Sequence, residues 1–207
     1  MFGSSNPTRL IPWAHRFLSE VLRPGDRAVD LTAGNGHDTL FLFHEVGEQG
    51  RVLAFDVQPA ALRKTAGRLR AAGAAVTLHA DRSTPLHFPP GLHLIRDCHS
   101  RLADYLDRPP RVVIANLGYL PGGDAALTTE TDSTLGALRA ALELLAPGGR
   151  IAVVVYVGHP GGPEEGAAVE ALFRGLPTGK WQVLKLEAAN RHRAPYLLAA
   201  QKRAGGT

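Results

Sequence analysis

Apolar positions along this chain follow two periods, short runs of β type and longer stretches at helical spacing. The runs Arg27 to Thr32, Arg51 to Asp56, Arg111 to Asn116 and Arg150 to Tyr156 predict strands, rich in Val, Ile, Leu and Ala and entered from Gly, Pro or Asp. Between them, Asp38 to Glu45, Ala60 to Ala72 and Ser133 to Ala146 predict helices, the last with Leu135, Leu138, Leu142 and Leu145 on one side. Strands and helices in alternation imply a parallel sheet covered on both faces. A helix over Ile11 to Leu22 comes first and is stopped by Arg23-Pro24-Gly25-Asp26; it packs on the sheet or lids a site. Trp181 to Leu186 and Tyr196 to Gln201 are strand-like with no room for a helix between them, so the sheet ends in an antiparallel pair.

Two further runs, AVTLHA (75–80) and LHLIRD (92–97), flank the Pro-rich STPLHFPPG. Both could be strands, and one of the two is expected to be an inserted hairpin arm or an extra edge strand. The result is an α/β fold with a mostly parallel seven-stranded sheet, an antiparallel last strand and helices on both faces. A length of 207 residues with 44% hydrophobic content suits one domain over 1–207, with an insertion near 75–91 and a frayed tail at 204–207. No run of eighteen apolar residues occurs and the start lacks the features of a secretion signal, so a cytoplasmic protein without a membrane partner is expected. The single Cys98 excludes an internal disulfide and a multi-cysteine metal site. Nine histidines form no His-x-x-x-His or His-Glu-x-x-His pair, so no metal is expected. A net charge of +4 is compatible with a polyanionic partner, and solvated surface explains it equally well.

Candidate chemistry sits where the first predicted strand ends, in DLTAGNGHD (30–38). Gly34 and Gly36 let backbone approach a ligand at the carboxyl end of a strand, where doubly wound folds bind nucleotides. Asp56 ends the next strand twenty residues beyond Gly36, where a carboxylate accepts hydrogen bonds from ribose hydroxyls. A dinucleotide site wants Gly-x-Gly-x-x-Gly with no acid before the turn, whereas this chain has Asp30-x-Thr32-x-Gly34-x-Gly36. This spacing resembles motif I of class I S-adenosylmethionine-dependent methyltransferases, whose cationic ligand favours a carboxylate where a pyrophosphate would be repelled. A dehydrogenase is the weaker reading. Asp38 reads equally as part of the site or as a cap of the following helix.

The fourth strand runs through Asn116 into Leu117-Gly118-Tyr119-Leu120-Pro121-Gly122-Gly123-Asp124, an amide followed by a glycine, aromatic and proline loop. Its place is similar to that of the Asn-Pro-Pro-Tyr loop of amino methyltransferases, which holds an amine in line with the methyl group. A loop merely shaped by its glycines is the bland alternative. TAGNGHDTLFL, DCHS, NLGYLPGGD, TETDSTLGALRAALELLAPGG, YVGHPGG and APYLLAAQK, in this order from Ile11 to Lys202, resemble the bacterial tRNA 5-(aminomethyl)-2-thiouridine methyltransferases, a family once labelled rRNA methylases. The resemblance implies a Rossmann-like class I methyltransferase fold. It also implies methylation by S-adenosylmethionine, released as S-adenosylhomocysteine, of the exocyclic amine of a modified wobble uridine, with the tRNA anticodon stem-loop as partner.

Carried over to this chain, the resemblance puts Asp30, Gly34, Asn35, Gly36, His37, Asp56, Gln58, Cys98, His99 and Asn116 around the cofactor, and Asn116, Gly118 and Tyr119 at the amine. Where the family has Asp-Ser-His-Glu, this chain has Asp97-Cys98-His99-Ser100, and the thiol is a weaker hydrogen-bonding group than the hydroxyl it replaces. The family also passes from the second helix to this motif more directly, so the resemblance implies an insertion within Ala75 to Gly91 and LHLIRD as the third strand. Tyr119 and Tyr156 are candidates to stack on the uracil, and His159 to touch base or phosphate; packing roles explain each equally. Arg191, His192 and Arg193, with Arg9 and Arg16, are candidates for anticodon phosphates or plain surface. An aliphatic amine must lose a proton before attack, and Asp30, His37, His159 and water all remain open as acceptors. The rival functions are a methyltransferase of the same fold acting on rRNA or a small amine, and a non-catalytic module that binds S-adenosylmethionine and RNA. A homodimer is compatible with the residues but not demanded by them.

Overall fold

A computed structural model describes residue 6 and residues 8–80, 87–118 and 128–205. One sheet runs through it, built from β1 (Arg27–Asp30), β2 (Arg51–Phe55), β3 (Val76–His79), β4 (Gly91–Ile95), β5 (Val112–Leu117), β6 (Arg150–Val155), β7 (Trp181–Glu187) and β8 (Tyr196–Lys202). The order is β3-β4-β2-β1-β5-β6-β8-β7, parallel from β3 to β6, with β8 antiparallel to both neighbours. The order reverses between β1 and β5, both of which leave the sheet toward the same edge. In such folds that crevice is the ligand site.

Strand alternation sorts the core into two halves. Val29, Leu53, Phe55, Val113 and Val153 point to one face, while Ala28, Val52, Ala54, Val112 and Ala152 point to the other. Every residue of β2 is buried, as expected of a strand covered on both sides. Helices α1 (Leu10–Ser19), α2 (His37–Val46) and α3 (Pro59–Ala71) contact the sheet on the second face. A 3-10 helix (His99–Tyr105), α4 (Thr131–Leu144) and α5 (Gly162–Arg174) lie with the first. Leu138, Leu142 and Leu145 are buried as the helical spacing predicts, with Leu135 partly buried against them.

Two expectations need correction, the number of strands and the end of the first helix. The sheet has eight strands, because AVTLHA supplies β3. It is an extra edge strand parallel to β4, with His79 beside Ile95, and not a hairpin arm. Having one neighbour only, it leaves Leu78 46% exposed, so its pattern lacks the apolar density of the inner strands. LHLIRD is the true third strand, as β4 beside β2. Helix α1 ends at Ser19, short of Leu22, and packs on the sheet with Ala14 and Leu18 fully buried. Helix α5 escapes a reading by pattern because it opens on Gly162-Pro163-Glu164-Glu165-Gly166, although Pro in the first turn and acids after it suit a helix start.

Candidate active site

The segment Asp30 to Asp38 leaves β1 at the carboxyl edge and enters α2 through two glycines in the left-handed region, Gly34 at φ 53° and Gly36 at φ 79°. A Cβ on Gly36 would sit 2.9 Å from the backbone Cα of Thr65 on α3. Thr65 also donates to the carbonyl of Gly34 at 3.1 Å, and Arg68 Nε to that of Asn35 at 2.7 Å, so α3 holds the turn from outside. Gly36→Ala is therefore expected to lower stability by about 2 kcal/mol through left-handed strain and the close approach. A fall in the urea midpoint checks this.

Asp30 lies beneath the turn and not in it. It is 0% exposed, and its oxygens accept from Thr39 Oγ1 at 2.7 Å and Thr32 N–H at 3.0 Å. Burial, with the neighbouring Asp38 second, raises its carboxyl to about 7. A raised folded value means that the stabilising contribution of Asp30 is complete below the ordinary 3.8 and is lost as pH rises through about 7. The stability difference between wild type and Asp30→Asn should therefore shrink, or move in favour of the variant, from about pH 5 to about pH 8. Chemical denaturation of both at the two pH values measures it, and contributions common to both proteins cancel.

Asp56 follows β2 and faces the turn: Oδ2 accepts from Gly34 N–H at 3.0 Å and Oδ1 from Gln58 N–H at 2.8 Å. Burial raises its carboxyl, against the lowering effect of those two N–H groups and of His99. Gln58 is the residue before α3, and Val57 beside it is 56% exposed. Asn35 is half-buried and His37 exposed at the head of α2. His99 Nδ1 donates to the Leu31 carbonyl at 3.1 Å; its Nε2 is buried and without a hydrogen-bond partner among the described residues. Burial lowers the His99 value, which favours a neutral ring with Nε2 as an acceptor. Cys98 is half-buried and accepts from Ser100 Oγ at 3.1 Å, while Asp97 is taken up by Arg101, Tyr105 and the Cys98 N–H.

The amide of Asn116 stands near the end of β5, beside the turn. Its N–H donates to Thr32 Oγ1 at 2.8 Å, and its Nδ2 donates to Asp38 Oδ2 at 2.5 Å. Asn116 Oδ1 is buried and lacks a hydrogen-bond partner among the described residues. Asp38 also accepts from His15 Nε2 at 2.5 Å, and the His15 ring stacks on Phe41 at 3.9 Å. Asp38 is thus no helix cap: the residue preceding α2 is Gly36, and no side chain caps it. It joins α1 to the carboxyl edge of the sheet. Nothing in the sequence pairs His15 with Asp38 or Asp38 with Asn116, because the three lie on separate elements that only packing brings together.

Beyond Asn116, Gly118 adopts φ 149°, and a Cβ there would lie 3.3 Å from Tyr156 Cβ and 3.6 Å from His159 Nε2. The structure therefore gathers Gly118, Tyr156 and His159, with Tyr156 39% exposed and His159 buried. Burial and then Asp38 raise the Tyr156 phenol. Tyr119 lies outside the described residues. Gly118 is tied back to Thr129, whose Oγ1 accepts from its N–H at 3.0 Å and donates to the buried Glu165 at 2.7 Å. Glu165, on helix α5, also accepts from Thr134 at 2.6 Å. Arg191, His192 and Arg193 are exposed in the β7–β8 connection; β8 begins opposite Val155, so this connection lies on the site edge. Arg9 and Arg16 are also exposed.

The donor set suits S-adenosylmethionine. Asp38 and Asp56 place carboxylates beside the turn for a cationic ligand, and the unpartnered Asn116 Oδ1 and His99 Nε2 are acceptors awaiting donors. Among the described residues no group of three or more His, Cys, Asp or Glu could hold a metal.

The profile of the family described as "Putative rRNA methylase" matches residues 52–202. An Arabidopsis thaliana protein, the chloroplastic tRNA (mnm5s2U34)-methyltransferase, is 39% identical over 98% of this chain and 72% of its own length. A candidate rRNA methylase from Clostridium thermocellum superposes with a TM-score of 0.83 at 35% identity, over 96% of this chain and 100% of that one. A candidate methyltransferase from Streptococcus mutans, crystallised with SAH, does so at 0.79 and 35%, over 94% and 98%.

Proposed function

Because this chain belongs to the "Putative rRNA methylase" family, with a class I methyltransferase fold, we propose that it is an S-adenosylmethionine-dependent N-methyltransferase that converts 5-aminomethyl-(2-thio)uridine at the tRNA wobble position to the methylaminomethyl form. The observation that carries this reading is the Asn116 amide, oriented by Asp38 through Nδ2 and left with an open Oδ1 at the switch point of the sheet. The name of the Arabidopsis relative supports the wobble nucleoside as acceptor, and the SAH of the Streptococcus mutans structure supports the cofactor.

When bound, S-adenosylmethionine supplies a methyl group on an electrophilic sulfonium. Asp56 holds the ribose with the lone pairs that Gly34 and Gln58 leave open, and the exposed Val57 offers an apolar surface to the adenine. His99 Nε2, unpartnered among the described residues, would accept a hydrogen bond from the cofactor. Asn116 Oδ1 accepts from an N–H of the substrate amine, which turns the nitrogen lone pair toward the methyl group. The negative charge of Asp38, one bond away, favours positive charge growing on that nitrogen. Tyr156 and the Gly118 backbone bound the space for the base, and Arg191, His192 and Arg193 take phosphates on the same edge. No helix of the described residues is long and apolar enough to cross a membrane.

Nucleoside mass spectrometry tests the reading. Undermodified tRNA carrying the aminomethyl group, incubated with enzyme and S-adenosylmethionine, should gain one methyl at that nucleoside. Methylation of rRNA in a parallel reaction, with the tRNA untouched, would overturn it.

A further inference from the structure

At the opposite, amino edge of the sheet, a cavity of about 340 Å³ is lined by Arg23, Arg27 and Arg111 with a single carboxylate, Asp26. Elsewhere arginines meet acids: Arg51 pairs with Asp107, Arg101 with Asp97, Arg150 with Glu20 and Arg174 with Glu170. None of the three pocket arginines forms an ion pair among the described residues, and Asp26 instead accepts from the Arg23 backbone N–H at 2.8 Å. Carbonyl groups hold two of them in place. Arg23 donates to Glu20 O and Leu22 O, and Arg111 to Val21 O at 3.1 Å and Pro147 O at 3.0 Å. Carbonyl dipoles fix a guanidinium without cancelling its charge.

Arg27 has less still. Its Nε is buried with no hydrogen-bond partner among the described residues, and burial, then Arg51 and Arg108, lower its value against the opposing attraction of Asp107 and Asp26. A guanidinium stays protonated even so, and a partly desolvated cation without a direct ion pair gains from an anion that joins it. Guanidinium forks match carboxylate and phosphate oxygens alike, but three arginines around one cavity offer more donors than the two oxygens of a carboxylate take up, which favours a phosphate. We propose that this pocket is a second binding site, specific for a phosphate group.

The phosphate comes from the tRNA backbone or from a free phosphate or pyrophosphate. β5 has six residues, so the pocket lies about 20 Å from the glycine turn, a span that a tRNA stem covers. The tRNA source rests on the function proposed above; the phosphate chemistry does not.

Thermal unfolding in pyrophosphate and in potassium chloride of equal ionic strength, for wild type and Arg27→Gln, tests the site. Pyrophosphate should raise the wild-type midpoint beyond chloride. Arg27→Gln should lose that response while unfolding in chloride no lower than wild type, since an unpaired charge has gone. Arg27→Lys, which keeps charge but not the fork, should respond weakly. No wild-type response beyond chloride, or an equal response in Arg27→Gln, overturns the proposal. The source follows from tRNA binding measured across salt concentrations. Loss of about one phosphate contact from the salt slope in Arg27→Gln assigns the pocket to the backbone. An unchanged slope, with the pyrophosphate response gone, assigns it to a free phosphate. Absence of wobble methylation by wild type would sink the proposed function and leave the pyrophosphate result standing.

Discussion

Asn116→Ala is expected to lower kcat roughly 10²–10³-fold, comparable to removing one preorganised hydrogen-bonding group from a catalytic site. The loss should fall on the rate of transfer because Oδ1 is the acceptor that orients the amine, while the ribose and adenine are held by Asp56 and its neighbours. Single-turnover kinetics at saturating S-adenosylmethionine and tRNA measure the first quantity, and titration with S-adenosylhomocysteine the second. Affinity for S-adenosylhomocysteine should stay within about threefold, less than 1 kcal/mol. Transfer at the wild-type rate would remove Asn116 from the reaction. A collapse in cofactor affinity with little change in single-turnover rate would make it a cofactor ligand only.

Asp38→Asn should cost about 10-fold to 10²-fold in kcat by a different route. The carboxylate accepts two hydrogen bonds, from His15 on α1 and from the Asn116 amide. An Asn in its place loses the charge and one acceptor oxygen, and its NH2 group meets one of the two donors unless the His15 ring takes its other tautomer. The Asn116 amide can then rotate and its open oxygen loses its aim. Asp38 is a positioning residue, and a double-mutant cycle separates that role from simple structural support. Asp38→Asn combined with Asn116→Ala should be no slower than Asn116→Ala alone, because once the aimed group is gone its support has nothing to aim. Strictly additive losses would place Asp38 in an independent role, such as attraction of the cationic cofactor.

The two corrections at the glycine turn share one physical reason. Asp30 and Asp38 are both acids beside the same turn, eight residues apart, and their spacing alone suggests ligand contact for the first and leaves the second open between the site and a helix cap. Burial divides them otherwise. Asp30, on the last residue of β1, points under the turn into the hydroxyl of Thr39. Asp38, one residue into α2, projects toward β5 and α1, whose positions are set by apolar contacts far from the site, such as Leu18 and Leu42 in one core cluster. The strand β3 and the helix α5 show the same limit. An edge strand with exposed Leu78 lacks inner-strand density, and a helix that opens on glycine and proline hides its first turn, although it delivers Glu165 to the loop beside Gly118.

What the amino-acid order determined by itself is local and periodic. It includes the inner strands and most helices, the antiparallel ending forced by a short connection, the glycines where backbone turns left-handed, and a carboxylate at the end of β2. These follow from steric preference and alternating burial, which act within a few residues. Only the tertiary structure decided which polar groups meet across elements: His15 with Asp38, Asp38 with Asn116, Glu165 with Thr129, and three arginines around one cavity. Such meetings depend on how helices seat on the two faces of the sheet, and seating is a property of the packed core that no short stretch of sequence contains.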